Sequence, residues 1–446
     1  MLEFLDTEGV KTDNLKKSTV DKLLKGVVDS DTARELLEIR KMFAKASTAK
    51  LKAMRRGVCA DGRIRDLLAY LGADTWRWAG RRVQTQNLVR LPKGFDVDEA
   101  LEWIHDPNAE ALLSGWYGSI LEVVSWLLRP MIIAAPGKKL MGGDYANIEG
   151  RVLAWAAGEE WKLQAFREYD AGTGPDIYKL TYARSFKIAI DLVDEIMRQI
   201  GKVEELALGY QGALNAFRSM ALNYGIIVIA DHEPRPADGA VLTESEVLEI
   251  VEAWRNAHPA TCGERWTDNQ GYKRARKGGL WNNLYDAALS AIQNPGKLYE
   301  AGPVVYRAYG DFLKCRLPSG RTLSYPFPSA EFKTNKWGKE QWIIETWGTD
   351  SKKGGKRWQS REPYGGLFAE NITQAIARDL LAFAQPRLEV AGYPVVMHGH
   401  DEIICEVDED FGDPKEFAAL MCELPPWAKG LPVTVGKPWQ GKRYLK

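Results

Sequence analysis

Two short segments, far apart in the chain, restrict its architecture more than any other feature: Gly143-Asp144-Tyr145-Ala146-Asn147-Ile148-Glu149-Gly150-Arg151 and Met397-His398-Gly399-His400-Asp401-Glu402-Ile403. Each sets an Asp at the edge of an apolar run, where a strand would deliver it to a cleft. If both carboxylates serve one site, the fold must join strand ends 257 residues apart. Such a pair can hold two Mg²⁺ ions roughly 3.5–4 Å apart for in-line phosphoryl transfer. Ionised carboxylates are the hard oxygen donors that Mg²⁺ requires, with triphosphate and water completing the shell. One Asp after a strand is more simply a turn or cap residue. Two, each inside a longer patterned string, point to a metal site.

The rest of the composition is compatible with a large intracellular protein. At 446 residues the chain exceeds one compact core, so two or three subdomains are expected. Hydrophobic content of 45% and 16 Trp supply apolar surface to bury. No apolar run reaches the length of a membrane span, and the first residues lack a secretory signal pattern. Five cysteines without CxxC spacing, Cys59, Cys262, Cys315, Cys405 and Cys422, read as reduced core thiols of a cytoplasmic protein. Net charge is zero, but it is unevenly distributed: between Arg40 and Phe95 there are 14 Lys/Arg against Asp61, Asp66 and Asp74. A basic stripe of this kind is the footprint of a phosphate backbone.

Periodicity gives the order of parts. Asn14 to Val27 and Asp31 to Met54 read as helices, the second capped by Asp31 or Thr32. Gly62 to Arg90 reads as strand and turn. Ala134 to Tyr145 reads as a turn at Pro136-Gly137 and a strand ending at Asp144, with a helix from Ile148 to Gly158. Residues 159–299 are dominated by helical periodicity. Strand character returns from Gly302, including Gln341 to Trp347, and Asn371 to Glu389 is a helix. Pro394–Met397 and Ile403–Val407 form a hairpin with His-Gly-His-Asp at its tip. Within the helical part, Arg198, Lys202, Leu206 and Tyr210 recur every four residues and share one helix stripe. Two cations, an apolar residue and an aromatic in line suit a nucleotide: phosphates on Arg198 and Lys202, sugar or base on Leu206, templating base on Tyr210.

The two Asp segments, the Arg198–Tyr210 stripe and Thr75-Trp76-Arg77-Trp78-Ala79-Gly80-Arg81-Arg82-Val83-Gln84-Thr85-Gln86-Asn87-Leu88 together resemble the family A DNA polymerases, the group of bacterial DNA polymerase I and many phage replicases. The resemblance runs in family order from about residue 36 to 407. It implies an α+β right-hand architecture with an antiparallel-sheet palm and helical fingers and thumb. Residues 1–60 would be a partial thumb, 61–158 the first part of the palm, 159–299 the fingers and 300–446 the second part of the palm. It also implies two Mg²⁺ ions, with Mn²⁺ able to substitute, held by Asp144, Asp401 and the carbonyl of Tyr145, with Glu402 tuning the site or ligating transiently. Glu149 would obstruct a 2′-hydroxyl and so select deoxynucleotides; otherwise it is a helix-surface Glu within reach of Arg151. Lys202 would protonate the departing pyrophosphate. Arg77 would reach the minor groove at the primer terminus, with Gln84, Gln86, Asn87, Gln374 and His400 as further DNA contacts that test pair geometry rather than sequence.

The implied partners are primer–template DNA and dNTPs, with a separate exonuclease or processivity protein as further candidates and no membrane. The expected location is the cytoplasm of a bacterium or infected host. Few residues precede the palm-like segment, so intrinsic proofreading is not expected. The sequence departs from the family at Trp76, where Gly is usual, at Leu206, where Phe or Tyr is usual, and at Gln211, where Gly is usual. Two alternatives are a polymerase indifferent to the sugar or making RNA, against which Glu149 and Tyr210 argue, and a non-catalytic DNA-binding relative. The joint presence of Asp144, Asp401, Arg198 and Lys202 argues against the latter. His398-Gly399-His400 also has zinc-like spacing, but no further His or Cys cluster supports it.

Overall fold

The structure, a computed structural model, describes residues 1–25, 28–43, 46–236, 239–267, 276–335, 338, 340–350 and 357–445. At its centre lies a four-stranded antiparallel sheet in the order Val395–His398, Glu402–Asp408, Lys138–Asp144, Trp439–Gly441. The two middle strands are the two Asp-bearing segments. Ile403, Ile404, Cys405 and Val407 are buried on one, Leu140 and Met141 on the other. Gly142 has to be glycine: a Cβ there would lie 2.6 Å from the Trp439 ring, which packs across the strand. Helix Gly365–Val390 packs against this sheet and against helices Ile148–Ala157 and Gly279–Gln293. Seventeen of its residues are buried, so it reads as a core helix rather than an amphipathic surface one.

Two further antiparallel sheets flank this core. One is a meander of Tyr299–Ala301, Val304–Tyr309, Phe312–Arg316 and Thr322–Pro326. The other is a ribbon of Ser329–Thr334, Glu340–Asp350 and Arg357–Arg361. Between the sheet-forming parts lies a helical unit in which helix Glu195–Leu208 packs on Ile177–Phe186, Leu214–Ala221 and Glu244–Ala257. It is fastened by buried charge. Lys162 donates to Glu205 at 2.6 Å, and His258 lies 3.7 Å from the same carboxylate. Removing one partner of such a pair costs about 3–5 kcal/mol, because the other is left buried and uncompensated.

Several sequence expectations change. Asp31 to Met54 is two helices, Asp31–Phe43 and Ala46–Gly57; residues 44 and 45, inside the expected single helix, lie outside the described residues. The first of the pair is capped by Ser30, whose hydroxyl accepts from the Ala33 amide at 3.1 Å, not by Asp31 or Thr32. The helix expected over Asn14 to Val27 is Lys17–Lys25, with residues 26 and 27 outside the described set. The helical part contains a parallel strand pair, Ile226–Ile229 with Ala240–Thr243, which short β-branched runs conceal from helical counting. The helix expected from Asn371 begins six residues earlier and continues through Pro386. Cys59 is exposed and Cys422 half-buried, so only three of the five thiols belong to the core. The first sixty residues contain one Asp-x-Glu triplet, Asp6-Thr7-Glu8, whose Glu8 accepts from the Ser30 hydroxyl.

One buried acid yields a pH prediction. Glu204 is fully buried and accepts from the Ser185 hydroxyl at 2.9 Å. Burial pushes its carboxyl up to about 8, so the folded protein favours the neutral acid. The stability this group contributes is complete below the ordinary carboxylate range and is lost as pH rises through 8. Glu204→Gln keeps the shape without the titration. It should raise the unfolding free energy at pH 9 by on the order of a few kcal/mol relative to wild type, and change it little at pH 5. Thermal unfolding at the two pH values checks this.

Candidate active site

The antiparallel register sets Asp144 directly opposite Glu402, and the Tyr145 amide donates to the Asp401 carbonyl at 2.9 Å. Asp144 and Asp401 therefore sit side by side at one end of the two central strands, both half-buried. The tail after the last helix closes over this end: the Gly436 amide donates to the Asp144 carbonyl at 2.8 Å. Directly opposite residues on antiparallel strands share a face, so the Glu402 side chain joins Asp144 there. Glu402 accepts from the Tyr444 hydroxyl at 2.8 Å, and Arg129 donates to that hydroxyl at 2.7 Å. Arg129 is itself fixed by the carbonyls of Leu88 and Val89. This tether was missed in the sequence, where nothing near the chain end shares a pattern with Glu402.

Among the described residues, no three His, Cys, Asp or Glu side chains form a ready metal cage. The backbones of Asp144 and Asp401 are neighbours at the strand ends, Asp401 lines the cleft described next and Asp144 does not; carboxylates so placed suit hard cations that take their remaining ligands from substrate and water. They do not fit a structural zinc site, which needs four protein ligands. The His pair is also used otherwise. The His398 ring packs edge-on against Trp78 with centroids 4.5 Å apart, while His400 faces the cleft described next.

That cleft, about 270 Å³, opens beside Asp401. Its walls bring together Arg77, Glu149, Leu206, Tyr210, His400 and Asp401 from four distant stretches. Glu149 is the hub. It accepts from Arg77 at 2.8 Å, from the Tyr210 hydroxyl at 2.7 Å and from the Gln374 amide at 3.1 Å. Arg151, the partner a surface reading would give it, is instead buried and doubly bonded to Asp170 at 2.6 and 2.7 Å. Burial, reinforced by Glu149, holds the Tyr210 phenol well above its usual range. Burial and the nearby Arg77 hold the His400 ring below its own.

The stripe of four is divided. Helix Glu195–Leu208 ends before Tyr210, and only Leu206 and Tyr210 line the cleft. Arg198 pairs with Asp176 at 3.0 Å and Glu195 at 3.3 Å. Asp176 also caps helix Ile177–Phe186, so the guanidinium is anchored on a helix start. Lys202 lies 4.5 Å from the Tyr224 ring centre.

Two of the three departures noted in the sequence stand at left-handed backbone. Trp76 and Gln211 adopt φ of +56° and +66°, the region where glycine is the default residue. Trp76 packs edge-on against Tyr325 at 5.2 Å, and Arg321 ties its carbonyl to helix Gly365–Val390 through Ala375 and Asp379. Gln211 accepts from the Gly366 amide at 3.0 Å. A Cβ on Gly366 would come within 2.3 Å of the Tyr210 carbonyl, so the helix start is pressed against the end of the cleft. On the other side of Asp401, Gln86 lines a small recess with His400 and Glu402, while Asn87 donates to Gln84 at 3.3 Å. Lys50 donates to the carbonyls of Gln84 and Asn87, both at 3.1 Å.

The chain is 36% identical over 438 residues to the DNA polymerase of Bacillus phage SP02, covering 97% of this chain and 60% of that protein. Along nearly its whole length the chain is thus similar in sequence to a DNA polymerase. A segment of 166 residues is 32% identical to DNA polymerase I of Chloroflexus aurantiacus, covering 37% of this chain and 14% of that protein. Among solved structures, the polymerase domain of Pol1 from M. smegmatis, in complex with DNA primer-template and dNTP, matches 98% of this chain and 57% of that chain. The TM-score is 0.53 at 15% identity. The fold is thus that of a DNA polymerase I polymerase domain, the α+β right hand with an antiparallel palm sheet. The chain spans about 60% of the length of the phage protein it matches. No family model matches it. No helix among the described residues is long and apolar enough to cross a membrane.

Proposed function

We propose that this chain is a template-directed DNA polymerase that extends a primer 3′-hydroxyl with deoxynucleotides and releases pyrophosphate. The observation that carries the reading is the convergence of Arg77, Glu149, Tyr210, Gln374 and His400 on one cleft whose rim is Asp401. Residues 1–60 serve as a partial thumb, 61–158 and 300–446 as palm, and 159–299 as fingers.

Asp144, Asp401 and the carbonyl of Tyr145 would hold the two Mg²⁺ ions, with Glu402 held close behind by Tyr444. Ions bound there would lower the pKa of the primer hydroxyl and offset charge on the leaving pyrophosphate. The protein groups position the reactants. Arg198 and Lys202 grip the triphosphate once Arg198 exchanges Asp176 for phosphate oxygens, and Lys202 supplies a proton to the departing pyrophosphate. Tyr210 backs the templating base, and Leu206 touches the sugar or base with no hydroxyl or ring to offer. Arg77, Gln84, Gln86, Asn87, Gln374 and His400 hold the primer end and the new pair by their sugars, phosphates and minor-groove edges. Glu149 fills the space a 2′-hydroxyl would need.

The test is extension of a labelled primer–template by the purified chain with Mg²⁺ and one dNTP at a time. Addition of only the complementary nucleotide is expected. No addition, or addition that ignores the template, would refute the reading. A primer with a mismatched 3′ end should be left intact under the same conditions.

A further inference from the structure

The ribbon Ser329–Thr334, Glu340–Asp350 and Arg357–Arg361 is not needed to build the cleft, yet its composition is unusual. Residues 329–361 contain four of the chain's 16 Trp, and eight Lys/Arg against four acids. Trp347 and Trp358 are diagonal neighbours across two of its strands, with rings 6.5 Å apart and inclined by 27°. A cross-strand aromatic pair ordinarily steadies a ribbon, and Phe332 with Trp342 does so elsewhere on it. Trp347 and Trp358 remain 40% and 51% exposed, because they face an open groove of about 460 Å³. Trp76 forms part of the opposite wall, and Leu367, Glu370 and Asn371 of helix Gly365–Val390 form another.

We propose that this groove binds the unpaired template strand, with its bases stacked on Trp347 and Trp358; the proposal rests on the polymerase reading above. Position argues for the template rather than the primer. The first turns of helix Gly365–Val390 form a wall of the groove and also press on Tyr210 and Gln211, at the end of the cleft where the templating base would sit. Gln374, one turn beyond Glu370, lies in the Glu149 network. The primer-end residues Gln86 and Asp401 are on the other side, around the recess with Glu402. Chemistry argues for bases in the groove and phosphates outside it. Flat indole faces accept any base, giving binding that is indifferent to sequence. Arg361 lines the groove beside them for the backbone. Arg361 now pairs with Asp74 at 3.4 Å, an exposed contact that a phosphate can displace.

The test compares binding of the full chain, by fluorescence anisotropy, to a blunt duplex, the same duplex with an eight-nucleotide 5′ template overhang, and the same duplex with a 3′ overhang. Wild type should bind the 5′-overhang duplex more tightly than the other two, whatever the overhang sequence. Trp347→Leu and Trp358→Leu should each weaken overhang binding by roughly tenfold, with blunt-duplex affinity and single-nucleotide addition at saturating DNA unchanged. Trp→Phe at the same positions should restore most of the advantage, which a merely structural role would not require. An advantage that survives both leucine variants, is equal for 3′ overhangs, or is absent in wild type would overturn the proposal. Primer extension is read separately. An overhang advantage without extension leaves the groove standing and removes the polymerase reading; extension without the advantage does the reverse.

Discussion

Replacing either Asp144 or Asp401 by Ala should reduce Mg²⁺-dependent primer extension at least about a thousandfold, roughly 4 kcal/mol of added barrier, while primer–template binding survives. The expectation follows from where the two carboxylates stand. They occupy adjacent ends of the two central strands, locked by the Tyr145-to-Asp401 backbone bond and by the register of Asp144 against Glu402. No third acid, His or Cys completes a cage among the described residues, so each Asp is a large share of the protein's contribution to the cations. The fold has little reason to fail in either variant, since both residues are only half-buried and their backbone bonds remain. Asp→Asn would retain size and lose charge, and should be nearly as inactive. Single-turnover extension together with gel-shift affinity separates the two effects. Extension that persists in either Ala variant would remove the metal assignment.

The convergence of those two segments was legible because β-strands with apolar runs advertise themselves and because the Asp residues lie at their ends. Arg77, Glu149, Leu206, Tyr210 and His400 were placed by motif and meet in the cleft. The sequence could not show what holds them. Glu149 and Arg151 are two apart on one helix, and on a helix such residues point in different directions: one enters the cleft, the other is buried on Asp170. The spacing of Arg198 to Tyr210 implies a single helix, but the helix stops at Leu208 and Arg198 is claimed by Asp176, a cap 22 residues earlier. Long-range polar ties such as Arg129 to Tyr444 to Glu402, or Arg321 to Trp76 and Asp379, follow no period and so leave no trace in a linear pattern. The positive φ at Trp76 and Gln211 gives the reverse lesson. There the sequence departs from glycine while the backbone keeps the conformation glycine favours, and Tyr325 packing and the Gln211–Gly366 bond accompany it.

Glu149→Ala should relax selection against ribonucleotides by roughly a hundredfold, about 2.7 kcal/mol in relative kcat/KM. The same change should lower kcat/KM for the correct deoxynucleotide by roughly tenfold. The two effects have separate origins in one side chain. Removing the carboxylate opens space beside the sugar, which lets a 2′-hydroxyl enter. It also leaves Arg77, the Tyr210 hydroxyl and the Gln374 amide without the acceptor they share, at 2.8, 2.7 and 3.1 Å. Partly buried donors stripped of their partner cost free energy and lose their fixed positions. Tyr210, proposed to back the templating base, and Arg77 and Gln374, proposed to hold the primer end and new pair, then loosen together. Glu149→Gln separates the contributions, since it keeps the bulk and an acceptor oxygen but not the charge. It should retain most of the sugar selection while still weakening the grip on Arg77. Steady-state incorporation of matched dNTP and rNTP pairs by the three proteins decides the matter. Unchanged sugar selection in Glu149→Ala would show that exclusion of the 2′-hydroxyl lies elsewhere in the cleft, with Leu206 and Tyr210 the next side chains to examine.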